Sequence, residues 1–249
     1  MEERKLPLSG HFEELRTALF RSLIAVLVGF SITYTFSDKL IHFLEMPLLK
    51  VLPQGQDTLY FTGLTDKFFT YFQVSLYASL ALVLPYILYE VWRFVSPALY
   101  PQERTFLIPF LIIATCAFFG GLAFGFFWVI PYGYNFLINF GSEREKPLIT
   151  LKDYFSLTTQ MLLGMGLVFE LPVVVVLLAK FGLISIQTLK QMRATIYVGL
   201  SILAAVITPT PDAFTMLLTW LPLCLLYELS LLFVQYFIDP KLNKPCDQQ

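Results

Sequence analysis

Three polar clusters interrupt an otherwise apolar chain, and each carries residue types suited to binding charge. HFEELR, His11 to Arg16, precedes the first long apolar run. Phe12, Leu15 and Leu19 recur at i, i+3 and i+7, which predicts an amphipathic helix that lies along a membrane interface and continues into that run. Glu14 and Arg16 fall off the apolar stripe, with Glu13 beside them. FVSPALYPQER, Phe94 to Arg104, is a tight loop stiffened by Pro97 and Pro101, with Leu99 and Tyr100 able to dip into the interface. Its Glu103 and Arg104 open the next helix, where a first-turn glutamate complements the helix dipole. GMGLVFELPVVVVLL, Gly164 to Leu178, sets Glu170 in a stretch fit for hydrocarbon. A carboxylate there must face a bundle interior or a wet cavity, and such residues are functional candidates by default. Pro172 frees the carbonyl of Val168 close by, so part of the role of Glu170 can be structural. Glu228 is a lesser companion, nearer a span end.

The elements that must position these groups follow from composition. Hydrophobic residues make up 57 % of 249 and charged residues 14 %, with a mean hydropathy of +0.68. A soluble globule carries about 25 % charged residues, so lipid must be this chain's solvent. The fold class expected is an all-α membrane protein. A hydrocarbon core of roughly 30 Å requires about 20 apolar helical residues. Six spans meet or approach that length, at about Ala18–Phe36, Phe68–Trp92, Phe106–Phe136, Tyr154–Lys180, Ala194–Thr208 and Ala213–Ile238. The third is long enough to tilt or bend. The fifth, about 15 residues, covers only about 22 Å, and PTPD joins it to the sixth as a short hairpin that predicts local bilayer thinning.

Lys and Arg number 11 on the side holding the N-terminus, the second and fourth loops and the C-terminal tail, against 6 on the other. That bias places both termini in the cytoplasm. Pro85, Pro109, Pro131, Pro172 and Pro222 each fall inside a span, and together they predict a curved bundle. The mixed-sign opening MEERKLPLSGHFEELR runs into a full span and predicts no cleaved signal peptide. Cys116, Cys224 and Cys246 have no metal-ligand spacing, and a net charge of −1 speaks against nucleic acid as a partner. His11 and His42 lie far apart without a nucleophile, and no phosphate-binding loop is present. Neither an enzyme nor a cofactor is expected.

In order along the chain, HFEELR, MPLLKVLPQG, FVSPALYPQER, VFELPV and TPTPDAFTMLLTWLP resemble the motifs of the TatC family, the polytopic receptor subunit of the twin-arginine protein translocase. The likeness runs from Pro7 to about Phe237, as one integral membrane domain spanning 1–249. Two features depart from the family pattern: Met216 stands where a glutamine is common, and TPTPD replaces a compact TPPD.

The resemblance implies a concave, glove-like six-helix bundle in the cytoplasmic (inner) membrane. Its job would be to bind the paired arginines of signal peptides on folded export substrates. Glu14 and Glu103 would accept them, with Arg16, Phe94, Leu99, Tyr100 and Arg104 around them; a guanidinium is a planar fork that pairs bidentately with a carboxylate. Glu170 would face the concave side and meet a transmembrane partner or the inserted peptide. Pro47, Pro85, Pro97, Pro172 and Asp212 would serve structure. The implied partners are the single-span TatA and TatB subunits, the lipid bilayer, and further copies of the chain in a receptor complex, with export driven by the proton motive force. A rival reading is a proton-coupled secondary transporter that loads and releases a proton at Glu170; it accounts for the buried acid but not for the paired cytoplasmic glutamates. A membrane scaffold is the second rival.

Overall fold

Inside hydrocarbon a backbone must satisfy its own hydrogen bonds, and a single chain without a closed barrel does so as helix. The computed structural model describes residues 8–52, 58–95, 107–141, 148–208 and 212–238, and these are helical almost throughout. In chain order they form α1 (Leu8–Thr35), α2 (Ser37–Leu49), α3 (Asp66–Val95), α4 (Leu107–Phe124), α5 (Ile130–Asn139), α6 (Leu151–Val168), α7 (Leu171–Lys180), α8 (Ile186–Gln191), α9 (Arg193–Ile207) and α10 (Ala213–Phe233). A π-helical turn, Gly125–Val129, joins α4 to α5, and another, Val234–Ile238, extends α10. Pro97, Leu99, Tyr100, Glu103 and Arg104 lie outside the described residues.

Among the described residues, five stretches are long and apolar enough to cross a bilayer: Phe12–Thr35, Asp66–Phe94, Ile108–Asn139, Leu151–Lys180 and Ala213–Tyr236. The sixth apolar helix, α9, has 15 residues. The third and fourth spans are composites. The π turn interrupts the third. The fourth breaks at Phe169–Glu170, where the backbone leaves the α6 spiral and restarts as α7. Pro172 therefore does not bend a continuous helix, as its place inside a span predicted; it stands in the first turn of α7, where its missing N–H has no intrahelical partner to lose. Pro131 opens α5 in the same way, while Pro85 and Pro222 lie within α3 and α10.

The helices pack in a connected series. α1 rests chiefly on α3; α3 and α4 both pack on α6; α7 and α9 both pack on α10. Small residues set the closest crossings, as expected where lipid supplies no hydrophobic drive between helices. A Cβ on Gly121 of α4 would stand 2.6 Å from the Met165 carbonyl oxygen of α6, and one on Gly166 would stand 2.6 Å from the Phe118 ring. On the side where α1 ends, α2 lies outside the spans and buries Ile41, Leu44, Pro47 and Leu48. The Tyr154 hydroxyl of α6 donates to the Leu44 carbonyl and pins α2 in place. Above them one parallel bridge joins Tyr60 to Thr150, with Leu151 N–H donating to the Tyr60 carbonyl at 2.7 Å.

Candidate functional site

α1 and α3 run antiparallel along a polar seam. Thr33 Oγ1 donates to the Ser75 carbonyl at 2.8 Å, and Ser79 Oγ donates to the Val26 carbonyl at 2.8 Å. Between these bonds Gly29 lets the helices close; a Cβ there would lie 2.9 Å from Ser79 Oγ. Further toward the N-terminal side, Arg21 of α1 faces Glu90 of α3 with Nη1 3.9 Å from Oε2. Glu90 is 3 % exposed; it accepts a 2.9 Å hydrogen bond from the Tyr86 hydroxyl and has Arg93 Nη1 at 4.0 Å. Two helical turns back from Arg21, about 10 Å, is Glu14, and one turn beyond Glu90, about 6 Å, is Phe94. Spacings of seven and four keep each pair on one helix face. The register thus brings Glu14 and Phe94 to the same end of the seam, where the chain leaves α3 for the segment that holds Glu103. Glu14 and Phe94 are both part-buried, while Arg16 is exposed with its guanidinium carbon 5.5 Å from the Phe20 ring centroid.

On another flank of α3, Trp92, Phe110, Pro172, Val176 and Leu226 line an open apolar groove of about 890 Å³ between α3, α4, α7 and α10. It reaches from the end of α3 to Pro172, two positions from Glu170. Glu170 occupies the residue before α7, at the break in span four, and is part-buried. Its Oε1 is buried and makes no hydrogen bond. Glu228, by contrast, accepts from Arg193 Nη2 at 2.7 Å and from the Tyr197 hydroxyl at 2.6 Å. The structure keeps Glu14 apart from Glu170: α1 packs chiefly on α3, and α7 on α10 and α4. Asp212 caps α10, its Oδ1 accepting from the Thr215 N–H at 2.7 Å. Met216 packs into the cluster formed by α9 and α10.

The family model for the Sec-independent protein translocase protein (TatC) matches residues 10–222. The chain belongs to the TatC family. It is 42 % identical to the Sec-independent protein translocase protein TatC of Desulforapulum autotrophicum, over 95 % of this chain and 87 % of that one. It is 34 % identical to the TatC of Escherichia coli K12, over 96 % and 92 % respectively. A crystal structure of the twin arginine translocase receptor TatC superposes with a TM-score of 0.81 at 32 % identity, covering 91 % of this chain and 98 % of that one. A TatC-family chain is a multi-pass membrane component of the Sec-independent translocase, not a catalyst, and it works with partner subunits and signal peptides.

Within this TatC-family chain, Glu90 was not legible as a site residue. It falls two positions from the predicted end of span two, where an acid reads as reaching water. Its partners are Tyr86 and Arg93 on its own helix and Arg21 on α1, which is far away in sequence. An acid inside a predicted span was the available signal.

Proposed function

We propose that this chain is the receptor for twin-arginine signal peptides, with both termini in the cytoplasm and the bundle in the inner membrane. The excess of Lys and Arg on the N-terminal side supports that orientation. The observation that carries the reading is the α1–α3 register, which sets the half-buried Glu14 at the same end as Phe94, the residue that opens the segment bearing Glu103. Two carboxylates at a water–lipid boundary suit two adjacent guanidinium groups, and each charge-assisted hydrogen bond contributes about 1.5–3 kcal/mol in a favourable setting. The groove from Trp92 to Pro172 offers an apolar lining to the peptide segment that follows its arginines. Glu170 then serves as a mid-membrane acceptor for a polar side chain of a TatA- or TatB-type helix, a contact of about 0.6–2 kcal/mol that can form and break during assembly. The proton motive force drives export.

Photo-reactive groups placed beside Glu14 and Glu103 test this. A peptide with its arginine pair intact should label strongly, and its twin-lysine counterpart should label weakly. Equal labelling by both peptides, or undiminished labelling after Glu14→Gln and Glu103→Gln together, would remove the receptor reading. One observation favours the secondary-transporter reading, the buried and unbonded Oε1 of Glu170. Proton-coupled solute uptake by the isolated chain in liposomes would establish it, and absence of uptake alongside peptide labelling would discard it.

A further inference from the structure

Two of this chain's own arginines stand beside the end where a peptide's arginines are to be held. Arg21 and Arg93 have side chains 43 % and 55 % exposed, so their guanidinium ends reach water, whereas the Glu90 side chain between them is 4 % exposed. The acid is fixed, by burial and by the Tyr86 hydroxyl; the arginines lean on it from outside at 3.9 and 4.0 Å, beyond hydrogen-bond reach. Arg21 shares a face of α1 with Glu14, two turns away, and Arg93 directly precedes Phe94. Without Glu90, both cations would act on the peptide site. They would repel an incoming guanidinium and compete with it for Glu14, about 10 Å along α1 from Arg21, a separation at which charge is only partly screened.

We infer that Glu90 is a positioning residue for signal-peptide capture: it holds Arg21 and Arg93 off the acids that the peptide's arginines occupy. The inference rests on the reading that Glu14 and Glu103 accept those arginines. It makes Glu90 an internal substitute for the peptide's counter-charge, not a third binding acid. Glu90 need not be exposed for this, because it acts through the two arginines.

The full-length protein in vesicles, probed with the twin-arginine peptide, provides the test. Glu90→Gln should weaken capture about tenfold, a size typical of coupled charge networks. The deficit should narrow as salt rises, because the added repulsion is screened. Replacing the released cations as well, in Glu90→Gln/Arg21→Gln/Arg93→Gln, should return capture to within about twofold of the unaltered chain. A simple helix–helix tie predicts the reverse, since that variant has lost the Arg21–Glu90 contact too. Should the single variant fail to fold, the triple variant, with no charge left in the cluster, decides alone: capture well below the unaltered chain, at equal thermal stability, overturns the inference. So does a single variant that captures normally. Glu14→Gln with Glu103→Gln is the control. If that pair captures normally, the receptor reading itself fails; if it loses capture while Glu90→Gln does not, only the role of Glu90 fails.

Discussion

A carboxyl group set among membrane helices offsets the cost of its burial by finding a cation, by finding a donor, or by meeting a partner's polar group. Glu90 and Glu228 take the first two routes together, each with a tyrosine hydroxyl and arginine nearby. Glu170 takes neither; its Oε1 is enclosed without a hydrogen bond, at a break in the helix that carries it. Removing such a group relieves a desolvation cost of about 1–3 kcal/mol instead of adding one. Glu170→Ala should therefore leave the thermal stability of the purified chain unchanged or raise it, while export and crosslinks to single-span partners fall. Glu170→Gln, which keeps a polar end, should retain more of both. Full export by both variants would show that the acid is no docking point. Glu170 was legible in the sequence because its surroundings are uniformly apolar. Glu90 was not, because its cross-helix partner, Arg21, is remote in sequence.

Between residue and fold, the elements show how much punctuation matters. Six apolar runs, the shortness of the fifth and the unusual length of the third could all be read from length and composition. The break at Phe169–Glu170 could not, since one proline marks a kink and a fresh helix start alike. α2 was missed for another reason. SDKLIHFLEMPLL is too short and too charged to count as a span, and its buried face is defined chiefly by α3 and α5, with Tyr154 of α6 bonded to the Leu44 carbonyl. Burial there pushes the Glu45 carboxyl above its ordinary value, and His42, 3.5 Å away, pulls it part of the way back. A raised folded-state value means a charge penalty at neutral pH that fades as pH falls through that value toward the ordinary 4.5. Glu45→Gln should be the more stable form at neutral pH and should flatten that window, as thermal unfolding in detergent at several pH values would show. At the other hairpin, Asp212→Ala removes the cap of α10 and should cost about 0.5–2 kcal/mol by the same measurement. Gly121→Val, which drives a side chain against the Met165 carbonyl, should cost at least about 1–3 kcal/mol.

For the molecule as a whole, two of the apolar helices, α1 and α9, differ in how they are held. In its most apolar window α1 has only 6 % of its residues buried, against 28 % to 33 % in the four other long spans. α9 is held within a cluster with α10 but is only 15 residues long, about 22 Å against a hydrocarbon core of about 30 Å. The membrane must thin beside it or the helix must leave water-facing ends inside. Vesicles of longer-chain lipid should accordingly lower thermal stability, and four apolar residues inserted into α9, about 6 Å, should remove that sensitivity. An unchanged unfolding temperature across lipid lengths would mean that α9 imposes no thinning.

The same disparity bears on how the chain is made. α1 emerges from the ribosome first, and it must wait in the bilayer until α3 is synthesised. Few of its residues are fully buried in the finished fold, so waiting exposes little beyond the face that later meets α3. α9 has no such independence, for at its length it would slip back into water. It should enter only as the leading arm of a pair, once α10 follows it out of the translation machinery, so a nascent chain halted at Thr208 would hold four membrane crossings and a fifth helix still outside.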